Sequence, residues 1–128
     1  MASVVHLDTH LLVWLYAGLS TLIPDSLKVR LENSEPVCSP MAALELQYLK
    51  ETGRLGDSPA QVLSSLYQEI GLRVCAAPFQ EIVERAYLES WTRDPFDRLI
   101  VAQARLMQAP LASKDRRIRA HYGEAIWD

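Results

Sequence analysis

The chain is short of the residues that staple, hinge or anchor a protein. Its 128 residues hold only two cysteines, Cys38 and Cys75, each inside a short apolar run and neither in a C-x-x-C pair. That argues against a disulfide framework or a thiolate zinc site and leaves two small buried hydrophobes in a reducing compartment. Five scattered glycines, no Gly/Ser-rich stretch and no repeat exclude a flexible linker or a solenoid, so one domain over residues 1–128 is expected. Long hydrophobic runs are missing too. Leu11 to Leu19 is too short to span a bilayer, and no Lys/Arg-rich segment precedes it, so no membrane partner and a soluble, cytoplasmic protein are expected. The three histidines do not cluster along the chain: His6 lies on the first predicted strand, His10 follows Asp8, and His121 is distant. They point to structural hydrogen bonding rather than to a His-based metal site or general base.

What the chain does hold is 49% hydrophobic residues, enough for a real core, and an uneven charge. The net charge is only −3, yet residues 98–128 carry six Lys/Arg against three acids and the remainder seven against thirteen. A locally basic C-terminal quarter beside acids elsewhere is compatible with a polyanionic partner, although such runs are more often solvated helix faces.

Apolar runs and punctuating residues predict strands alternating with helices. Residues 3–7 read as a strand leading into a helix from about His10 to Tyr16, and a second helix covers about Pro24 to Asn33. Glu35-Pro36 should break the chain before a short strand at Val37-Cys38. Ser39-Pro40 and Ser58-Pro59 are N-cap and N1 pairs opening helices to about Thr52 and Ile70. Leu72 to Ala76 reads as a strand, Phe79 to about Trp91 as a helix, and Asp94-Pro95 opens another helix through about Gln108. Pro110 to Ala112, Asp115 to His121 and Ala125 to Trp127 complete the chain as strand, helix and strand. The alternation predicts an α/β fold with a mostly parallel sheet covered by helices on both faces. Leu99, Ala102, Leu106 and Ile100, Gln103, Met107 form a wide stripe expected to pack directly on that sheet.

Against this frame five acids stand out. Asp8 and Asp115 each follow an apolar strand, on the carboxyl edge where parallel sheets bind ligands. Asp94 and Asp97 open a helix as N-cap and N3, Asp8 can cap another and Asp115 reads as lying in a first helical turn, so the helix dipole explains each of them at about 0.3–1 kcal/mol. Glu45 caps nothing: helical spacing places it beside Met41, Ala42, Tyr48 and Leu49, so it requires a cation or a basic partner. Carboxylates that converge raise one another's pKa values and are comfortable only around a hard divalent ion such as Mg²⁺. Such an ion can activate a water and stabilise charge on a phosphate, which suits phosphodiester hydrolysis.

The segments Leu7-Asp8-Thr9-His10, Ala42-Ala43-Leu44-Glu45-Leu46, Asp94-Pro95-Phe96-Asp97-Arg98-Leu99-Ile100-Val101-Ala102-Gln103-Ala104 and Ala112-Ser113-Lys114-Asp115, in that order and spacing, resemble the PIN domain. Within it the nearest likeness is to VapC-like toxins of bacterial toxin-antitoxin pairs, over essentially the whole chain. The resemblance implies about five parallel strands between helices and a Mg²⁺- or Mn²⁺-dependent endoribonuclease. It places Asp8, Glu45, Asp97 and Asp115 in the catalytic and metal-holding quartet, with Asp94 as an auxiliary. Ser113 falls where the family carries Thr or Ser, and would orient Asp115 or a metal-bound water. A cognate antitoxin, an RNA substrate and a homodimer are the implied partners. Arg98, Lys114 and Arg116 are candidates for guiding the RNA backbone, with surface charge as the plain alternative.

Two other classes compete with this reading. One is a different Mg²⁺-dependent α/β phosphohydrolase or a receiver domain, but Asp8-Thr9-His10 lacks the phosphatase's second Asp, and Cys38-Ser39 supplies no further acid. The other is a catalytically inert interaction module, against which the intact acidic set argues. Trp14, Tyr16, Tyr48, Leu49, Leu63, Leu66 and Tyr67 are expected in the core or in a dimer or antitoxin groove, exposure at helical spacing favouring the groove.

Overall fold

In the computed structural model, which describes residues 3–128, five parallel strands form one sheet. They are β1 (Ser3–Leu7), β2 (Ser34–Cys38), β3 (Arg73–Val74), β4 (Leu111–Ala112) and β5 (Ala125–Ile126), in the order β3-β2-β1-β4-β5. The chain thus begins mid-sheet, builds outward through β2 and β3, and returns to the other side of β1 for β4 and β5. The reversal opens a crevice at the carboxyl ends of β1 and β4, the place where open α/β sheets bind ligands. Asp8 follows β1 and Ser113 follows β4, so both arrive at that crevice by topology alone.

Seven α-helices surround the sheet: α1 (Thr9–Ala17), α2 (Asp25–Glu32), α3 (Pro40–Glu51), α4 (Pro59–Ile70), α5 (Phe79–Ala86), α6 (Pro95–Leu106) and α7 (Arg116–His121). Their starts are written locally. Ser39 caps α3 by accepting from the Met41 amide at 3.0 Å, Pro40 fills the first helical position, and Ser58 with Gln61 makes a reciprocal capping box on α4. α1 and α4 both stop at a left-handed glycine, Gly18 at φ 73° and Gly71 at φ 76°, a conformation other residues adopt at a cost.

The core gathers Val5 and Leu7 from β1, Leu11 and Leu12 from α1, Leu46 from α3, Leu66 from α4, Ile100 from α6 and Leu111 from β4. Full burial of each such leucine or isoleucine contributes roughly 1.5–3 kcal/mol. The α6 stripe divides. Ile100, Val101 and Ala104 enter this core, while Leu99, Ala102 and Leu106 pack with Ile82 and Ala86 of α5, and Met107 is exposed. The expected direct packing on the sheet therefore holds for only part of the stripe, because α5 covers the rest. Gln103, its polar interruption, is buried and donates to the Cys75 carbonyl at 3.4 Å.

Three expectations need correction. Pro36 does not break the chain: β2 starts at Ser34 and pairs Val5 with Pro36. β3 pairs only with Val37 and Cys38, so Pro36 sits where the strand is still a sheet edge on one side, a position proline tolerates. α5 ends at Ala86 rather than near Trp91, and residues 87–94 form an irregular connection. His6 is buried, but its Nε2 lacks a hydrogen-bond partner and burial pushes the imidazole down to about 4. It is a neutral core group, not the hydrogen-bonding one expected. Cys38 and Cys75 are free thiols, and burial pushes the Cys38 thiol up to about 12, so it is inert near neutrality. No helix of the described residues is long and apolar enough to cross a membrane.

Candidate active site

The crevice is assembled from two strand ends and three helix starts. Just past the end of β1 the Asp8 amide donates to the carbonyl of Ala112, the last residue of β4, at 3.0 Å, and so ties the two strand ends together. Asp8 is 5% exposed, and each of its carboxylate oxygens accepts one hydrogen bond. Oδ1 accepts from the Thr9 amide at 2.8 Å as the cap of α1, and Oδ2 accepts from Ser113 Oγ at 2.7 Å. Burial nonetheless raises its pKa, the two hydrogen bonds opposing that shift and Asp115 adding to it. Ser113 Oγ also accepts from the Asp115 amide at 3.1 Å. One buried hydroxyl therefore orients one acid and places the backbone of a second.

Glu45 does have a partner, and it is neither a cation nor a basic residue. Thr9 Oγ1 donates to Glu45 Oε1 at 2.6 Å. A neutral donor satisfies one lone pair without cancelling the charge, so the expectation of a basic partner is corrected. Burial raises the Glu45 pKa, Thr9 partly lowers it, and Asp8 and Asp94 push it up again. Asp94 caps α6, accepting from the Phe96 and Asp97 amides at 2.8 and 3.4 Å. Asp115 caps α7 rather than lying in its first turn, and accepts from the Arg117 and Ile118 amides at 2.8 and 3.2 Å.

Asp97 has no such cap. It stands half-buried in the first turn of α6, and its pKa is pushed from 3.8 to about 7, first by burial and then by the charges of Asp94, Asp8, Asp115 and Glu45. Four other carboxylates, from four separate elements, are thus near enough to disfavour its ionisation. No ion pair among the described residues involves any of the five acids; the pairs are Lys28–Asp25, Arg105–Glu89 and Arg119–Asp128. Among the described residues no three His, Cys, Asp or Glu side chains form a tight ligand cage. The oxygen-only donor set still fits a hydrated Mg²⁺ or Mn²⁺, which takes one or two carboxylates directly and keeps several waters.

The basic candidates divide. Arg98 spends its Nε on the Thr92 carbonyl at 2.8 Å and so braces the connection before α6. Arg116 is exposed, and Lys114 is exposed with Nζ 5.4 Å from the centre of the Trp14 ring. Of the apolar candidates, Leu66 is buried and Trp14, Tyr16, Leu49 and Leu63 pack half-buried against the core. Tyr16 also donates to Asp57. Tyr48 and Tyr67 are about half exposed, Tyr48 stacking edge-on against Phe96 at 5.0 Å.

Sequence reasoning missed two things. Thr9 as the donor to Glu45 carries no signal beyond its place next to Asp8. His10 and Trp14 also line the crevice, and their i, i+4 spacing on α1 was a signal that could have found them.

Comparison with known proteins bears on this arrangement. The chain resembles, at 18% identity and a TM-score of 0.65 over 98% of its own length and 99% of the other's, VapBC2 from Rickettsia felis bound to a DNA fragment from their promoter. It resembles a toxin-antitoxin complex from Klebsiella pneumoniae at 18% identity and a TM-score of 0.66, covering 95% of each chain. VapBC-1 from nontypeable Haemophilus influenzae follows at 16% identity and a TM-score of 0.57, over 98% of this chain and 96% of that one. No curated protein sequence matches the chain. At these identities the likeness is one of fold. The family described as PIN domain matches residues 5–124, which take in β2 to β4, most of β1 and every helix named above, and the chain belongs to the PIN domain family.

Proposed function

We propose that this protein is a metal-dependent endoribonuclease, the toxin of a type II toxin-antitoxin pair, acting in the cytoplasm. One observation carries the reading: five carboxylates from four elements converge without a basic partner among the described residues, and burial with the charges of the other four pushes the Asp97 pKa up to about 7. Such a cluster disfavours its own charge unless a cation is present. Asp8, Glu45, Asp97 and Asp115 are the residues that would hold Mg²⁺ or Mn²⁺, with Asp94 at the rim. Bound there, the ion supplies a Lewis acid for the phosphate and a water of lowered pKa.

The chain's own groups have definite tasks. Ser113 fixes the Asp8 carboxylate and Thr9 fixes Glu45, so the donor oxygens are oriented before any ligand arrives. Asp97 sheds its proton as the site fills. Lys114 and Arg116, exposed beside Asp115, face the approach of a phosphate backbone. A cognate antitoxin is a proposed protein partner, supported by the toxin-antitoxin complexes among the similar structures, and a second copy of the chain is proposed beside it.

The test is cleavage of total cellular RNA by the antitoxin-free protein with Mg²⁺, Mn²⁺ or EDTA, beside Asp8→Asn and Asp97→Asn. Discrete fragments that require both the ion and both acids are expected. Cleavage that persists at the wild-type rate in either variant would remove these residues from the site.

A further inference from the structure

Against the carboxylates lies a cavity of 290 Å³ whose walls include Asp8, His10, Trp14, Lys114, Asp115 and Trp127. It shares two acids with the proposed centre, so whatever enters it lies next to the reacting group. One wall is aromatic. Trp14 is braced edge-to-face by the buried Trp127 at 5.8 Å, and exposed His10 sits one turn earlier on α1 with ring centroids 6.4 Å apart. Lys114 Nζ lies 5.4 Å from the Trp14 ring centre, on an exposed side chain that joins no ion pair among the described residues.

The plain alternative is that Trp14 is core packing and Lys114 a surface charge. Core packing explains the contact with Trp127 but not a cavity that leaves the Trp14 ring half-open beside His10. An indole ring with an ammonium over its face and a second ring inclined at 57° beside it suits a ligand that is itself flat and anionic. The volume, just below the range of about 300–1,000 Å³ for drug-sized ligands, limits that ligand to about one nucleoside.

We propose that this cavity is the subsite for the unpaired RNA nucleotide adjoining the scissile phosphodiester. Its base takes the Trp14 face that Lys114 covers in the free protein, with the inclined His10 ring at its edge, and the displaced Lys114 meets its phosphate. The proposal rests on the nuclease reading above and adds which residues hold the nucleotide beside the cut. Stacking on aromatic side chains tolerates any base, so the subsite favours unpaired RNA over a particular letter.

The test uses the full chain carrying Asp97→Asn, so that RNA is bound but not cut, with Mg²⁺ present. The probe is an unstructured RNA on the order of ten nucleotides, within the site sizes of single-strand binders, carrying one abasic position moved along its length. Affinity is read with tryptophan fluorescence. One abasic position is expected to weaken binding about tenfold. That loss should vanish in His10→Ala, whose exposed side chain can be removed without disturbing the core, and in Trp14→Leu where it folds. Lys114→Ala should lower affinity and reduce the salt slope by about one. A flat abasic scan, or a tenfold loss that survives in His10→Ala and in folded Trp14→Leu, would overturn the subsite. If wild-type protein cuts RNA with the ion while the scan is flat, only the subsite falls. If wild-type protein neither binds nor cuts RNA, the nuclease reading falls with it.

Discussion

Replacing Asp97 by asparagine asks whether the carboxylates strain one another, and it does so without any RNA. In the folded chain the Asp97 pKa lies near 7, against 3.8 for an unperturbed aspartate. A raised folded pKa means that the folded state binds the proton more tightly than the unfolded state. Stability contributed by the neutral acid is therefore fully present below 3.8 and is lost as pH rises towards 7. Above 7 the ionised side chain is a standing cost that asparagine, neutral at every pH, does not carry. At 1.36 kcal/mol per unit the full shift corresponds to about 4 kcal/mol. Asp97 is partly open to water, and screening reduces this to about 1–2 kcal/mol. For a chain of this length that is a rise in Tm of about 3–8 °C. The assay is thermal unfolding by circular dichroism in EDTA, across the window from 3.8 to above 7. The gain of Asp97→Asn over wild type should be absent at the acid end, grow through the window and level off above 7. Adding Mg²⁺ should reverse the order, because the ion stabilises the folded form that binds it by RT ln(1 + [L]/Kd) and the variant binds it less. A variant no more stable than wild type above pH 7 without metal would refute the idea of a self-repelling cluster. A ranking unmoved by Mg²⁺ would refute the cation.

Other substitutions test the supporting groups. Ser113→Ala leaves Asp8 Oδ2 buried without its donor at 2.7 Å and should cost about 1–3 kcal/mol in urea unfolding, with Ser113→Thr close to wild type. Thr9→Val removes the hydroxyl that lowers the Glu45 pKa, so the acid limb of the pH–activity profile should move to higher pH; an unmoved limb would mean that Glu45 does not govern the rate. Arg105→Met removes the cation from Glu89, which is 2% exposed, accepts from Arg105 Nε at 2.7 Å and keeps the neutral Trp91 indole donor at 2.5 Å, and should cost about 3 kcal/mol by denaturant titration. Adding Glu89→Gln should return part of that loss.

Helix starts were the most legible part of the fold, because Ser39-Pro40, Ser58-Pro59 and Asp94-Pro95 state the cap and the first turn in adjacent letters. Element lengths were less legible. Whether Pro36 ends a strand depends on how far β3, over thirty residues later in the chain, pairs alongside, and whether α6 meets the sheet depends on where α5 packs. In the candidate site, the acids on strand ends and helix starts were readable as positions, and their convergence could be argued only jointly. The partner of Glu45 was not readable, since a hydroxyl donor is as common as any residue until the fold brings it within 2.6 Å. Nor was the ranking of the acids. Asp8, Asp94 and Asp115 each keep backbone donors, and Asp97, identical in type, is left to carry the repulsion.

The hydrogen bond from Ser113 to Asp8 spans 105 residues, and β1 has no neighbour on that side until Leu111 pairs with His6. On a ribosome, then, the first acid of the crevice is made early and waits unpaired through most of synthesis, while β2 and β3 can already dock on its other side. A chain interrupted just before β4 holds three of the five strands and lacks Ser113 and Asp115. For a protein proposed to cut the RNA of the cell that makes it, this late closure puts the last pieces of the crevice, Ser113 and Asp115, within the final sixteen residues of synthesis.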